Sequence, residues 1–412
     1  MGESARKVDV AIVGGGMAGA SLALMLSHFC PQLSVALLEQ RALPDAAASI
    51  QLPSFDTRAT AIAAGSLQLF AELGLWPALQ AYSAPIDRIH VSDRGHAFGA
   101  ALSTREGQGV NFEGILGAVI ENAALGPILH SALTSTSTQL LAPAQVTDIN
   151  MTSAGANLLW RSGENSPDEA LFCGLVVVAD GVNSPLCRQL GIEISSVKYP
   201  QRALVATVAL QQPHQGVAYE RFTRMGPMAL LPLPDREGQH RAALVWACEE
   251  AEAERVGVMP EAERLKKLQQ VFGWRAGRFI KVGAVQGYPL SLSIAQEQWR
   301  RNVVLMGNCA HFLHPVAGQG FNLTLRDCYG LAQALSTVTS DTLPGRLDFL
   351  QQYGEMRQLD QQLTIGFSDR IPTLFSSSGW LQQGIRQLGM LGLTMVPPLR
   401  REFVSQAAGF GL

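Results

Sequence analysis

The chain has 412 residues, 47% of them hydrophobic and 16% charged, with a formal net charge of −3 at pH 7. That length exceeds what one core usually holds and favours two closely joined lobes. The near-neutral balance, without any long Lys/Arg cluster, lacks the electrostatic footprint of a nucleic-acid binder. Six cysteines, Cys30, Cys173, Cys187, Cys248, Cys309 and Cys328, form no CxxC pair and no His/Cys metal spacing. The N-terminus has no signal-like segment, and no apolar stretch reaches the length of about 18 residues that a membrane-spanning helix needs. These features predict a protein of a reducing compartment, the cytoplasm.

In chain order, the apolar, β-branched run Val10-Ala11-Ile12-Val13 stops at Gly14-Gly15-Gly16-Met17-Ala18-Gly19, after which Ala18 to Ser27 has helical spacing. This is strand, tight turn, helix. Gly14 permits the turn, Gly16 lets the backbone approach a pyrophosphate, Gly19 lets the helix lie on the strand, and the helix start at Met17 and Ala18 offers free N–H groups to the anion. A second apolar run, Ser34 to Leu38, ends in Glu39, where the dinucleotide fingerprint requires a carboxylate for a ribose hydroxyl. Thr134 to Thr138 and Gly163 to Asp168 read as loops. The all-apolar Leu175 to Ala179 reads as a buried parallel strand carrying Asp180-Gly181-Val182-Asn183-Ser184 at its carboxyl end. Leu204 to Leu210 and Ala242 to Trp246 read as strands of a separate sheet. Asn302 to Met306 leads into Gly307-Asn308-Cys309-Ala310-His311, and the turn Gly318-Gln319-Gly320 opens a helix predicted from about Asn322 to Leu335. That helix start aims backbone donors and positive dipole at whatever lies above Gly320.

These motifs, with Phe55-Asp56-Thr57-Arg58-Ala59, His90-Val91-Ser92-Asp93-Arg94-Gly95-His96, Glu220-Arg221-Phe222-Thr223, Gly226-Pro227 and His314-Pro315-Val316-Ala317-Gly318-Gln319-Gly320-Phe321-Asn322-Leu323, make the chain resemble the group A flavoprotein aromatic hydroxylases of the para-hydroxybenzoate hydroxylase fold. Within that family it is most similar to the hydroxylases of ubiquinone biosynthesis. The resemblance implies an α/β protein: an FAD-binding, Rossmann-like lobe of the glutathione-reductase type, an inserted mixed β-sheet substrate domain, and a C-terminal helical region. The FAD lobe is expected over residues 1–80, 116–190 and 296–345, the substrate domain over 81–115 and 191–295, and the helical region over 346–412.

The resemblance also implies a chemistry. Reduced FAD activates O2 for attack by an electron-rich phenol, so the protein has to supply a water-excluding pocket, stabilisation of the reduced ring and groups that orient the phenol. NADPH or NADH is the expected reductant, bound transiently, because the only nucleotide fingerprint is used by FAD. No metal is expected, and the implied substrate is a polyprenylated phenol. The expected cofactor-binding residues are Gly14, Gly16, Met17, Ala18, Gly19, Glu39, Arg58, Asn122, Val146, Asp180, Gly181, Asn308, Gly320 and Asn322. Pro315, Gly318, Gln319 and Gly320 form the loop expected beneath the reacting ring. Two positions depart from the family pattern. Asn308 stands where Asp is usual, keeping hydrogen-bonding capacity without the charge, and Cys187 stands where Arg is common, with Arg188 following.

Several residues carry a plain reading beside the functional one. Arg58 is either a phosphate or flavin contact or a surface ion pair. Asn122 is an FAD contact or a helix-surface amide, and the Val146 side chain is core whatever its backbone does. His311 and His314 have metal-like spacing, but without a third ligand they read as packed histidines. Cys309 reads as a small packed side chain without a resolving thiol. The apolar run Met228 to Leu231 suits either a prenyl pocket or sheet core. From Asp360 to Leu412 the chain is rich in apolar residues, including Ile365, Phe367, Ile371, Phe375, Leu381 and Leu388. They fit equally a contact with a ubiquinone-biosynthesis protein complex or the surface of the inner membrane, and a helical cap on the protein's own domains. Hydroxylation of a small soluble aromatic, and a noncatalytic FAD-bearing scaffold, stay open as rivals; a flavin halogenase is disfavoured by the lack of a Trp-x-Trp pair.

Overall fold

The computed structural model describes residues 6–43, 58–93, 99–103, 112–313, 318–339 and 342–376. His314, Pro315, the Phe55 to Thr57 and Arg94 to His96 stretches, and the chain beyond residue 376 lie outside them. So do the side chains of Phe367, Ile371 and Phe375.

The uniformly apolar runs pair in parallel, as strands covered on both faces must. Arg6–Val13 lies between Val35–Leu38 and Glu169–Val178, and Val303–Leu305 extends the sheet beyond Glu169–Val178, all parallel. Gln139–Leu141 adds a further parallel strand on Val35–Leu38, and the antiparallel pair Gln145–Met151 and Ala156–Arg161 completes most of this eight-stranded sheet. One face carries the helices Met17–Phe29, Asn122–Leu133 and Gln319–Leu335, whose apolar sides meet Val10, Ile12, Leu175 and Val177.

The second, nine-stranded sheet is antiparallel except where Val217–Thr223 runs parallel to Arg88–Asp93. Its long strands Ile194–Leu210, Gly226–Arg236 and Gln239–Glu249 are covered on both faces along much of their length. Leu230, Leu244 and Trp246 pack against Val256, Leu268 and Val271 of the helices Glu250–Val258 and Glu261–Phe272. The opposite face turns inward. There Ala218, Leu231, Leu233 and Ala243 meet Ala59, Ala61 and Val119 of a small antiparallel sheet, Ala59–Ala63, Gly117–Glu121 and Ser83–Ile86. Glu121, buried in that interface, accepts from Arg236 at 2.7 Å and Arg241 at 3.1 Å. The pairing joins the small sheet to the large one through charge as well as apolar contact.

The helix expected from about Asn322 begins at Gln319, because Gly318, at φ 61°, makes the left-handed turn that lets the chain enter the helix at once. A 30-residue helix, Leu347–Ser376, then packs on Gln319–Leu335. No helix among the described residues is long and apolar enough to cross a membrane.

Candidate active site

The carboxyl ends of the four central parallel strands lie side by side, so Gly14 to Gly16, Glu39, Asp180-Gly181 and Gly307-Asn308 share one edge of the sheet. That edge is where ligands of open α/β sheets bind. Three glycines hold it together by closeness. A Cβ on Gly14, at φ 107°, would lie 2.5 Å from the Ala179 carbonyl oxygen, one on Gly19 would lie 1.9 Å from the Gly14 carbonyl oxygen, and one on Gly307 would lie 2.9 Å from the Ala18 Cβ. Gly16 differs, since nothing lies within 4 Å of a Cβ placed there.

The helix Met17–Phe29 starts at Gly16 without a side-chain cap, so its first-turn N–H groups have no side-chain acceptor. Beside it, Glu39 accepts the Gly15 N–H at 2.7 Å through Oε2 and the Arg41 N–H at 2.9 Å through Oε1. Each oxygen keeps acceptor capacity for a hydroxyl. His130 Nε2 lies 2.6 Å from the Gly15 carbonyl oxygen and steadies the turn from the helix above.

Asp180 receives the Ser184 hydroxyl at 2.7 Å, and burial pushes its carboxyl above the usual range against that bond. Gly181 follows at φ 93°. Asn308 and Arg58 are exposed and have no side-chain partner among the described residues, so Arg58 makes no ion pair there. Asn122 opens the helix Asn122–Leu133, sends its N–H to the Arg58 carbonyl at 3.1 Å and accepts the Thr60 hydroxyl at 2.6 Å, leaving its amide N–H groups to donate. Val146 packs its side chain into the sheet core, two residues beyond Ala144, whose N–H bonds the Glu39 carbonyl at 2.7 Å.

Gly318, Gln319 and Gly320 form a half-open turn, with Gly318 close to Ala61. The Asn322 carboxamide is bonded within the fold: its oxygen accepts the Ala63 N–H at 2.8 Å, and its nitrogen donates to the Ala61 and Gly318 carbonyls at 2.8 and 2.9 Å. Asn322 therefore clasps the glycine turn to the small sheet and positions it.

Sequence reading missed two arrangements. Asp327, inside the helix Gln319–Leu335, binds His311 Nε2 at 2.6 Å, Arg357 Nε at 2.8 Å and Gln361 Nε2 at 3.0 Å. Burial raises its carboxyl, but the bonds and charges of His311 and Arg357 outweigh that and hold it below the usual range. Asp360 continues the network to Arg357 and Arg326. An acid between apolar residues on the buried side of a helix was the available signal. Second, Cys309 is not without a neighbouring thiol. Cys187 neighbours it and its thiol is lowered by that nearness, while the Cys309 thiol donates to the Val178 carbonyl at 2.7 Å and burial pushes it well above the usual range.

An uncapped helix start, an open Gly16, a fixed carboxylate, and Arg58 and Asn308 without side-chain partners among the described residues together suit a long anionic dinucleotide. The frame is that of a flavoprotein. Residues 7–367 match the FAD binding domain family. Ubiquinone hydroxylase UbiL of Rhodospirillum rubrum is 32% identical over 99% of this chain and 91% of its own length, and 3-demethoxyubiquinol 3-hydroxylase of Escherichia coli is 28% identical over 97% and 98%. The crystal structure of p-nitrophenol 4-monooxygenase PnpA from Pseudomonas putida shares the fold, with a TM-score of 0.78 at 16% identity over 98% of this chain and 99% of that one. The chain belongs to the FAD binding domain family and is an FAD-dependent monooxygenase of its hydroxylase branch.

Asn308→Asp is expected to retain FAD, since either side chain accepts a hydroxyl hydrogen bond. Asn308→Leu is expected to lose most of it, because a cofactor hydroxyl would be left unpaired at a cost of about 1–3 kcal/mol. Flavin absorbance after gel filtration measures both, and equal occupancy in the Leu variant would place Asn308 outside the site.

Proposed function

We propose that the protein is an NAD(P)H-dependent hydroxylase of the aromatic ring of a polyprenylated phenol in ubiquinone biosynthesis. The observation that carries this reading is the end-to-end similarity to ubiquinone hydroxylase UbiL, which spans sheets, site and helices alike. When bound, FAD would supply the redox chemistry that carries two electrons from NAD(P)H to O2, so that one oxygen atom could enter the ring and the other leave as water.

The chain's own residues supply the rest. In this reading Gly14, Gly16, Met17, Ala18 and Gly19 cradle the pyrophosphate, Glu39 holds a ribose, and Asp180, Gly181, Asn308, Asn122 and Arg58 line the cofactor's length. Val146 offers its backbone beside the adenine. The start of the helix Gln319–Leu335, at Gly318 to Gly320, points its donors toward the charge that reduction places on the ring. Of the run Met228 to Leu231, Met228 and Leu230 are taken up by the core behind the sheet, while Ala229 and Leu231 lie on the opposite face, only partly buried, and suit a prenyl chain. The protein works in the cytoplasm, and an apolar substrate tail favours peripheral contact with a membrane or a biosynthetic complex through the C-terminal region.

NADPH oxidation is expected to accelerate with a short-chain prenylated phenol, consuming one O2 per hydroxylated product with little hydrogen peroxide. A flavin that neither NADPH nor NADH reduces would sink the catalytic reading. Turnover of simple phenols but not prenylated ones would sink the substrate assignment alone.

A further inference from the structure

One rung of the large sheet differs from those around it. Val91, Glu220, Ala229, Val245 and Val205 are paired directly across five neighbouring strands, and each is only partly buried. Alternation along Val217–Thr223 puts Glu220 on the same face as Ala218, which packs toward Ala59 and Ala61 beside the Gly318 turn, and away from the helices behind the sheet. The rung is therefore an apolar row on the side of the glycine turn, with Glu220 as its single polar side chain.

We propose that the Glu220 carboxylate holds and deprotonates the phenolic hydroxyl of the substrate. The inference rests on the hydroxylase reading above and adds the group that activates the ring. Glu220 has no hydrogen-bond partner among the described residues, so its oxygens are left to a ligand. Burial pushes its carboxyl up to about 7, where it changes charge at working pH. The charged groups of the packed elements leave that to burial. Asp93 lies at the next inward position on the neighbouring strand, Arg58 begins the strand opposite, Arg236 and Arg241 are bound by Glu121 at the far end, and Asp369 of the long helix is bonded by Tyr199. A phenol suits the site because it brings one weakly acidic donor on an apolar ring.

In the step, the phenolic O–H bond breaks and its proton passes to a Glu220 oxygen. The freed lone pair raises electron density at the ring carbons ortho and para to the oxygen, one of which forms the new C–O bond as the O–O bond of the activated oxygen breaks and its other oxygen atom leaves as water. That carbon then loses its hydrogen as a proton, restoring the aromatic ring. NAD(P)H and O2 balance the oxidation, and Glu220 returns its proton to solvent.

The test compares wild type, Glu220→Gln and Glu220→Asp as holoenzymes. For Glu220→Gln we expect NADPH to reduce the flavin at the wild-type rate, product formation to fall on the order of 100-fold, and O2 to be released as hydrogen peroxide. The wild-type rise of kcat/KM through about pH 7 should vanish, and Glu220→Asp should recover part of the activity. Two readouts need no turnover. A short-chain prenylated phenol should bind Glu220→Gln roughly tenfold more weakly while its methyl ether binds both proteins alike. Because a raised carboxyl costs stability that is fully felt above about pH 7 and absent below its unfolded value, Glu220→Gln should melt roughly 3–5 °C above wild type at pH 8.5 and level with it at pH 4.

Wild-type coupling and an unchanged pH profile in Glu220→Gln would overturn the inference alone. A wild-type protein that hydroxylates no phenol would overturn the hydroxylase reading and this step with it.

Discussion

Gly16→Val is expected to yield a folded protein without FAD, and Gly19→Val a protein that folds poorly. The two glycines belong to one fingerprint, yet their surroundings differ. A side chain at Gly16 would enter open space in front of the uncapped helix start, meeting no protein atom within 4 Å. What it blocks is the close approach of an anion to the backbone donors. Losing two such charge-assisted bonds, at about 1.5–3 kcal/mol each, weakens FAD binding by roughly 10²- to 10⁴-fold. At Gly19 the first added carbon would lie 1.9 Å from the Gly14 carbonyl oxygen and 3.2 Å from Ile12. Helix and strand must separate, at a cost of about 1–3 kcal/mol or more. Melting curves and flavin content, measured together, decide it: wild-type flavin occupancy in Gly16→Val would remove the pyrophosphate from this helix start.

The second large effect is expected at Asp327, inside the helix Gln319–Leu335. Asp327→Ala leaves His311 and Gln361 without their acceptor and removes one of the two carboxylates that balance buried Arg357. Breaking a buried ion pair by deleting one partner costs about 3–5 kcal/mol. Because the pairings hold the Asp327 carboxyl below its unfolded value, their contribution is present above about pH 4 and fades as pH falls through the lowered folded value. The wild type should therefore show a loss of stability below about pH 4 that is smaller in Asp327→Ala. Denaturation midpoints at pH 7 and pH 3 measure this, and a variant within 1 kcal/mol of wild type at pH 7, on the scale of about 3–5 expected, would show that the network does not bind the two helices together.

How legible these features were depended on whether their cause was local. Gly14, Gly19 and Glu39 could be read because a strand, its turn and the next strand end are set by neighbours in sequence. The α/β frame followed from the same logic, since all-apolar runs such as Leu175 to Ala179 have to be covered on both faces. The clasp made by the Asn322 carboxamide could not be read because its partner strand, Ala59–Ala63, lies some 259 residues earlier in the chain. The Asp327 partners lie 16, 30 and 34 residues away. Glu220 was visible as a motif residue, but only strand register shows that it occupies a rung of Val91, Ala229 and Val245.

The central claim is that this protein puts one atom of O2 into the ring of a prenylated phenol. Its most direct test is a single turnover of the NADPH-reduced holoenzyme with a short-chain prenylated phenol under 18O2, followed by mass spectrometry of the quenched phenol. The expected product carries one 18O atom on the ring. Recovery of unchanged phenol, with all the label in hydrogen peroxide, would contradict it.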